Sequence, residues 1–271
     1  MLHIICALKP ESRPLQEHFE LRPLPGAASI YQNPEARLTL TLSGIGKSAA
    51  AAAVARTRDH FRAGRSHAWL NLGIAGHASL PLGQAAVINK VTDAASGKTW
   101  YPSLVFTTTL PARDLLTLDQ PDNDYREELF DMECAGFFQA ANECATLELV
   151  QALKIISDNA DQSMDRINPD LVSRLVTQNL PVIEEVIEQL LALSELQQRL
   201  NDPGPDYHVI IRHRHFTVSQ GHKLQSSLRK WRALYPGDTG LADRLAGMKT
   251  AADILRLLQD ELAKTPIRFN K

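Results

Sequence analysis

Short apolar runs rich in β-branched and Leu residues alternate with Ala- and Leu-rich stretches at helical spacing along the first two thirds of the chain. The runs are 2–8, 37–42 (Arg-Leu-Thr-Leu-Thr-Leu), 68–72 (Ala-Trp-Leu-Asn-Leu), 85–91, 104–109 and 152–156. Each is too short for a helix and reads as a strand. Between some of them, Ser48 to Arg62, Met132 to Asn142 and Leu171 to Leu193 place apolar residues three and four apart and read as helices, the last continuing as a polar helix over Leu190 to Leu200. Strands interleaved with helices predict a three-layer α/β/α sandwich with a mixed central sheet.

The pattern changes after residue 196. Asn201-Asp202-Pro203-Gly204-Pro205-Asp206 is a turn and linker signal. Beyond it, Thr217-x-x-Gln220 has the form of a capping box. The helix it opens puts Leu224, Leu228, Trp231 and Tyr235 on one face, and a second, about Ala251 to Ala263, does the same with Ile254, Leu257, Leu258 and Leu262. The organisation expected is a domain over 1–196 and a small helical unit over 201–271.

Charge sharpens that division. Residues 1–196 carry −8, from 16 basic against 24 acidic side chains, and residues 197–271 carry +6, from 13 against 7. Arg212-His213-Arg214-His215 with Lys223, Arg229, Lys230 and Arg232 make the second unit basic. Such a face suits either a polyanion, nucleic acid among them, or ordinary solvation. Its histidines do not fall at zinc-finger spacing. Cys6, Cys134 and Cys144 are irregularly spaced in apolar contexts, which suits buried thiols in a reducing cytoplasm. No stretch approaches the ~18 apolar residues that span a bilayer. The first eight residues read as a strand and not as a signal peptide.

The candidate chemistry gathers where strands end. Leu153, Ile155 and Ile156 run into Ser157-Asp158-Asn159, so a buried strand delivers a carboxylate to the sheet's carboxyl edge, where ligands of open α/β sheets bind. The same residues would also cap a following helix. Ser43-Gly44-Ile45-Gly46-Lys47-Ser48 follows a strand and opens a helix, a turn whose N–H groups can approach an anion or a ribose. It lacks the spacing of a Walker A loop. Asn71-Leu72-Gly73-Ile74-Ala75-Gly76-His77 reads as a second such loop, with His77 a candidate acid. In Phe130-Asp131-Met132-Glu133-Cys134, Asp131 suits an N-cap and Glu133 the first helical turn. Glu133 beside Met132 also suits a sugar diol, offering a carboxylate next to an apolar wall.

In this order, Glu11 after the first strand, the Ser-Gly-Ile-Gly-Lys loop, the Asn-x-Gly-x-Ala-Gly segment, the Asp-Met-Glu-x-Ala-Gly helix and Ser-Asp-x-Ala-Asp resemble the nucleoside phosphorylase/nucleosidase superfamily, above all the methylthioadenosine/S-adenosylhomocysteine nucleosidases. The resemblance covers about residues 2–193. It implies that Asp158 protonates a departing purine, that Ser157 orients Asp158, that Glu133 and Met132 hold the ribose, and that Glu11 activates the attacking water. Gly73, Ile74, Ser43 and Gly44 would complete the substrate pocket. It also implies a cytoplasmic homodimer acting on a small nucleoside, with no cofactor.

Ile74 stands where related enzymes carry a small hydroxyl residue. The early Gly and Arg of a phosphorylase's phosphate pocket are absent from the first loop, with Arg13 the nearest substitute. Both features favour hydrolysis over phosphate-dependent cleavage. The stretch from Thr107 to Phe130 offers no clear aromatic for stacking on the base, and Leu115 to Asp119 is the candidate base-side segment. Ile74 also leaves room for a third reading, a silent nucleoside-binding or scaffold protein with a polyanion-binding tail.

Overall fold

The computed structural model describes residues 1–212 and 214–264. His213 and residues 265–271 of the basic C-terminal stretch lie outside the described residues. The chain forms two compact units, Met1–Glu195 and Leu196–Lys271.

The first unit is built on one mixed sheet. Its strands are β1 (Leu2–Cys6), β2 (Arg22–Leu24), β3 (Ala27–Asn33), β4 (Leu38–Leu42), β5 (Ala68–Gly76), β6 (Ala85–Asp93), β7 (Thr99–Trp100), β8 (Ala112–Thr117), β9 (Leu129–Asp131) and β10 (Val150–Asp158). Parallel β4, β1, β5 and β10 form its middle, and every residue of β1 and β10 is buried. Strands covered on both faces are expected to be mostly apolar, and these two are, apart from His3 in β1 and Gln151, Lys154 and the terminal Ser157-Asp158 in β10. Beyond β10 the sheet continues through β6, β8 and β9, and a single bridge from Phe130 to Gly76 returns β9 to β5. The carboxyl ends of β5, β9 and β10 therefore meet.

Helices α1 (Lys9–His18), α2 (Lys47–Phe61), α3 (Cys134–Cys144), α4 (Pro169–Gln178) and the first part of α5 (Leu180–Asn201) flank the sheet, with α2 packed on α3 and α1 on α4. At the first of these contacts Gly136 is a steric necessity, because a Cβ there would lie 2.0 Å from the backbone oxygen of Lys47. That contact sets the start of α2 against the start of α3.

The sequence expectations need four corrections. Residues 104–109 form no strand; the strand is β8, whose Arg113 and Asp114 interrupt the apolar pattern. The Asn71–Gly76 segment is not a loop but the carboxyl half of β5. The stretch from Leu171 to Leu193 is two helices, broken at Asn179. Finally, α3 begins at Cys134 with Glu133 as its N-cap residue, although Asp131 Oδ2 does accept the Cys134 N–H at 2.9 Å.

The second unit holds α6 (Pro205–Arg212), α7 (Val218–Leu234), α8 (Leu241–Ala246) and α9 (Ala251–Lys264). Thr217 and Gln220 form the capping box of α7. Leu224, Leu228 and Trp231 of α7 join Ile254 and Leu258 of α9 in its core. Part of its positive charge is spent internally. The Arg214 guanidinium donates to the carbonyls of Ile210, Leu245, Ala246 and Met248, and Arg232 donates to that of Asp202. Among the described residues no helix is long and apolar enough to cross a membrane.

Candidate active site

A cleft of ≈ 270 Å3 opens where the carboxyl ends of the strands meet. Glu11, Ile74, Met132, Glu133, Ser157 and Asp158 all line it. Leu8, Ile45, Leu118, Phe130, Met164 and Ile167 supply an apolar wall.

Asp158 is the last residue of β10, just past a bulge in the β10–β5 pairing, and is 5% exposed. A bulge re-aims the side chains that follow it. Ser157 Oγ donates to Asp158 Oδ1 at 2.5 Å. On the other side Gly76 leaves room for Asp158 and Phe130, since a Cβ there would stand 2.9 Å from Asp158 Oδ2 and 2.3 Å from Phe130 Cζ. Phe130 is thus an aromatic wall beside Asp158. In the sequence Phe130 stands directly before the Asp-Met-Glu motif, and in the fold it is 8% exposed, so its local pattern is that of a core residue.

Glu11 lies in the first turn of α1, 2% exposed. Its carboxylate accepts the N–H of Leu8 at 2.8 Å and that of Ile74 at 3.1 Å. Burial raises its pKa, while those two N–H groups and Lys154 act against the shift. Gly73 does not line the cleft. It makes space behind it, for a Cβ at 73 would come within 2.9 Å of Glu11 Oε1 and 3.4 Å of Lys154 Nζ.

Glu133 Oε1 accepts the N–H of Gly46 at 2.8 Å, so the turn after β4 reaches the site through its backbone. Gly44 and Gly46 hold φ of 83° and 102°, conformations that glycine adopts freely. Ser43 and Gly44 themselves stand away from the cleft, and Ser43 Oγ donates to the Gly44 carbonyl at 2.7 Å. Burial, then the charge of Asp131, pushes the Glu133 pKa up to about 7.

Lys154 is a residue that the sequence reading passed over. It sits mid-strand in β10, opposite Gly73, and its Nζ lies 2.8 Å from Asp131 Oδ2 with both side chains 1% exposed. Burial opposes its charge, but Asp131 first, with Cys134 and Glu133, outweighs burial and raises its pKa above the usual lysine value. Its signal was a Lys inside an otherwise apolar strand, a residue type almost never fully buried unless paired.

His77 is not at the cleft. It is buried, and its Nδ1 accepts the N–H groups of Ser79 and Leu80, each at 3.0 Å. Lys47, at the start of α2, is held by Asp93 Oδ1 at 2.5 Å and Asp119 Oδ1 at 2.6 Å. Cys6, Cys134 and Cys144 are free and buried.

No family model and no curated protein matches the chain. Solved structures do. The 5′-methylthioadenosine/S-adenosylhomocysteine nucleosidase of Streptococcus pneumoniae, solved with a transition-state inhibitor, superposes with a TM-score of 0.56 at 21% identity, over 70% of this chain and 99% of that one. The 5′-methylthioadenosine nucleosidase of Arabidopsis thaliana gives 0.56 at 16%, over 70% and 95%. The Neisseria meningitidis 5′-methylthioadenosine/S-adenosylhomocysteine nucleosidase gives 0.55 at 18%, over 68% and 98%. These solved chains are matched almost whole, and the chain therefore has the nucleoside phosphorylase/nucleosidase fold, with additional C-terminal helices.

Proposed function

We propose that this chain hydrolyses the N-glycosidic bond of a purine nucleoside or thionucleoside. The observation that carries the proposal is the convergence of Glu11, Glu133 and Asp158, from three separate elements, on one largely apolar cleft. Glycosidic cleavage passes through a sugar with oxocarbenium character. It needs a proton for the leaving base and negative charge near the cation, which carboxylates in different surroundings can divide between them.

Asp158 gives its proton to the departing base, with Ser157 fixing the direction of the carboxyl group. Glu133 accepts from the ribose hydroxyls, its other contact being the Gly46 N–H, while Met132 packs on the sugar. Glu11 takes the proton of the attacking water. Its raised pKa brings a carboxylate nearer to neutral pH, where a general base works best. Phe130, beside Asp158, is the apolar face on which the base rests.

The surroundings favour water over phosphate as the nucleophile. An oxyanion would need an available cation or N–H group. Lys47 is engaged by two aspartates, the Ile74 N–H is taken by Glu11, and the Ile74 side chain is apolar. Ile74 also removes a hydroxyl that could hold water, which is the feature favouring a silent nucleoside-binding protein. The proposal includes a homodimer in the cytoplasm, by analogy with related enzymes.

The test is incubation with a panel of nucleosides, 5′-methylthioadenosine among them, with and without phosphate. Free base in phosphate-free buffer is expected. Release only with phosphate would assign phosphorolysis, and tight binding with no release would assign a binding protein.

A further inference from the structure

Lys47 opens α2 and stands next to Gly46, whose N–H donates to Glu133 Oε1 at 2.8 Å. Its side chain joins two further segments. Nζ lies 2.5 Å from Asp93 Oδ1, at the end of β6, and 2.6 Å from Asp119 Oδ1, two residues past β8. Asp93 is itself fixed, since Oδ2 accepts the Ser96 hydroxyl at 2.6 Å and Oδ1 also accepts the Ala95 N–H at 3.3 Å. Asp119 lies between Leu118 and Gln120, both of which line the cleft. The Lys47 backbone is fixed as well. It lies against Gly136, in the first turn of α3, where a Cβ would come within 2.0 Å of the Lys47 carbonyl oxygen. Gly46, with φ of 102°, has no side chain to hold its own peptide, and glycine leaves such a conformation freely. Its aim at Glu133 has to come from its neighbour.

We propose that Lys47 is a positioning residue for Glu133: its ammonium, clamped by Asp93 and Asp119, holds the Gly46 turn so that the Gly46 N–H stays on the Glu133 carboxylate. One cation shared by two carboxylates is a network and not a lone surface pair, whose worth is small. The same clamp ties the Glu133 side of the cleft to the segment after β8. Its bearing on catalysis rests on the proposed hydrolysis, in which Glu133 grips the ribose.

Lys47→Met removes the ammonium and keeps the length of the side chain. Asp119→Ala opens half of the clamp at an exposed position, and carries the test alone should Lys47→Met not fold. The readout is the titration of Glu133 itself, followed by carbon NMR of its carboxyl group as the signal missing from Glu133→Gln. Its midpoint is about 7 in the wild type. A carboxylate that loses a hydrogen bond to its charged form ionises later, so the midpoint should rise by about one pH unit in both variants. Asp131, Lys154 and Glu11, the other charged groups acting on Glu133, are untouched by either substitution. The sign in Asp119→Ala separates positioning from simple charge, because removing a negative charge would by itself lower the Glu133 midpoint. Lys47→Arg, which keeps a cation for both aspartates, should stay near the wild-type value. An unchanged or lowered midpoint in Asp119→Ala would overturn the role, as would a wild-type midpoint in Lys47→Met. With a cleaved nucleoside, KM at pH 7 should rise about fivefold in Asp119→Ala while kcat changes less than about twofold, as for lost uniform binding. A loss confined to kcat would overturn the link to the ribose grip. Should no nucleoside be cleaved while the midpoint moves, hydrolysis fails and the clamp stands.

Discussion

Lys154 Nζ and Asp131 Oδ2 lie 2.8 Å apart with both side chains closed off from solvent, beneath a cleft that also holds Glu11 and Glu133. Lys154 acts electrostatically on both glutamates and opposes the rise in their pKa values. It is a cation at the centre of an acidic cluster. Removing one member of a buried pair typically costs about 3–5 kcal/mol, because the other charge is left unpaired. Lys154→Met, which keeps the length of the side chain, should lose stability of that order in denaturant unfolding. It should also raise the Glu11 and Glu133 pKa values further. A loss below about 1 kcal/mol would contradict the role given to the pair.

Glu133 should make both stability and binding depend on pH. Its folded-state pKa is about 7 against an ordinary 4.5, so between those values the folded protein holds a proton that the unfolded chain has released. The associated stability is present below pH 4.5 and is lost as the pH rises through about 7. A carboxylate accepts from both hydroxyls of a diol only when ionised. Nucleoside affinity should therefore improve roughly tenfold from about pH 6 to about pH 8, as Glu133 ionises. Glu133→Gln should flatten both profiles, as read by calorimetric binding and by unfolding. A binding slope that survives in Glu133→Gln would assign the titration to another group.

At the opposite end of β1, His3 Nδ1 lies 2.7 Å from Thr39 Oγ1 and His3 Nε2 lies 3.0 Å from His67 Nδ1. One proton bridges the two rings in that contact, so the contact cannot survive with both rings charged. Burial lowers both pKa values, that of His67 to about 4 against an ordinary 6.5. The stability that this arrangement provides is present above pH 6.5 and is lost as the pH falls through about 4. From pH 4.5 to 6.5 this slope opposes that of Glu133, so it is best measured in Glu133→Gln. There, unfolding free energy should fall steadily with acidification and the fall should shrink in His67→Phe. Equal slopes with and without His67 would rule the pair out as its source.

What could be read in advance follows from where each residue's partners lie. β1, β5 and β10 are buried on both faces, so their local composition carries their structure. Asp158 was legible for the same reason, as a carboxylate standing where an apolar strand stops. β8 was not, because Arg113 and Asp114 break its pattern and its pairing with β6 is non-local. The break at Asn179 had a local signal in Pro181, which occupies the first turn of α5 and suits a helix start. Lys154 carried a signal as a Lys within a buried strand, but its pairing did not, since Asp131 lies on a three-residue strand and only the folded sheet brings them together. The glycine turn follows β4 and opens α2, and it reaches Glu133 through the Gly46 N–H and not through Ser43 or Gly44.

In the proposed hydrolysis Asp158 gives a proton to a departing base. The most direct test of that step is the rate of free-base release from a purine nucleoside in phosphate-free buffer, for wild type and Asp158→Asn side by side. Loss of a general acid costs typically about 10²- to 10⁴-fold. Release by the wild type, a fall of that size in Asp158→Asn and an unchanged unfolding midpoint are expected. Turnover by Asp158→Asn near the wild-type rate would contradict it.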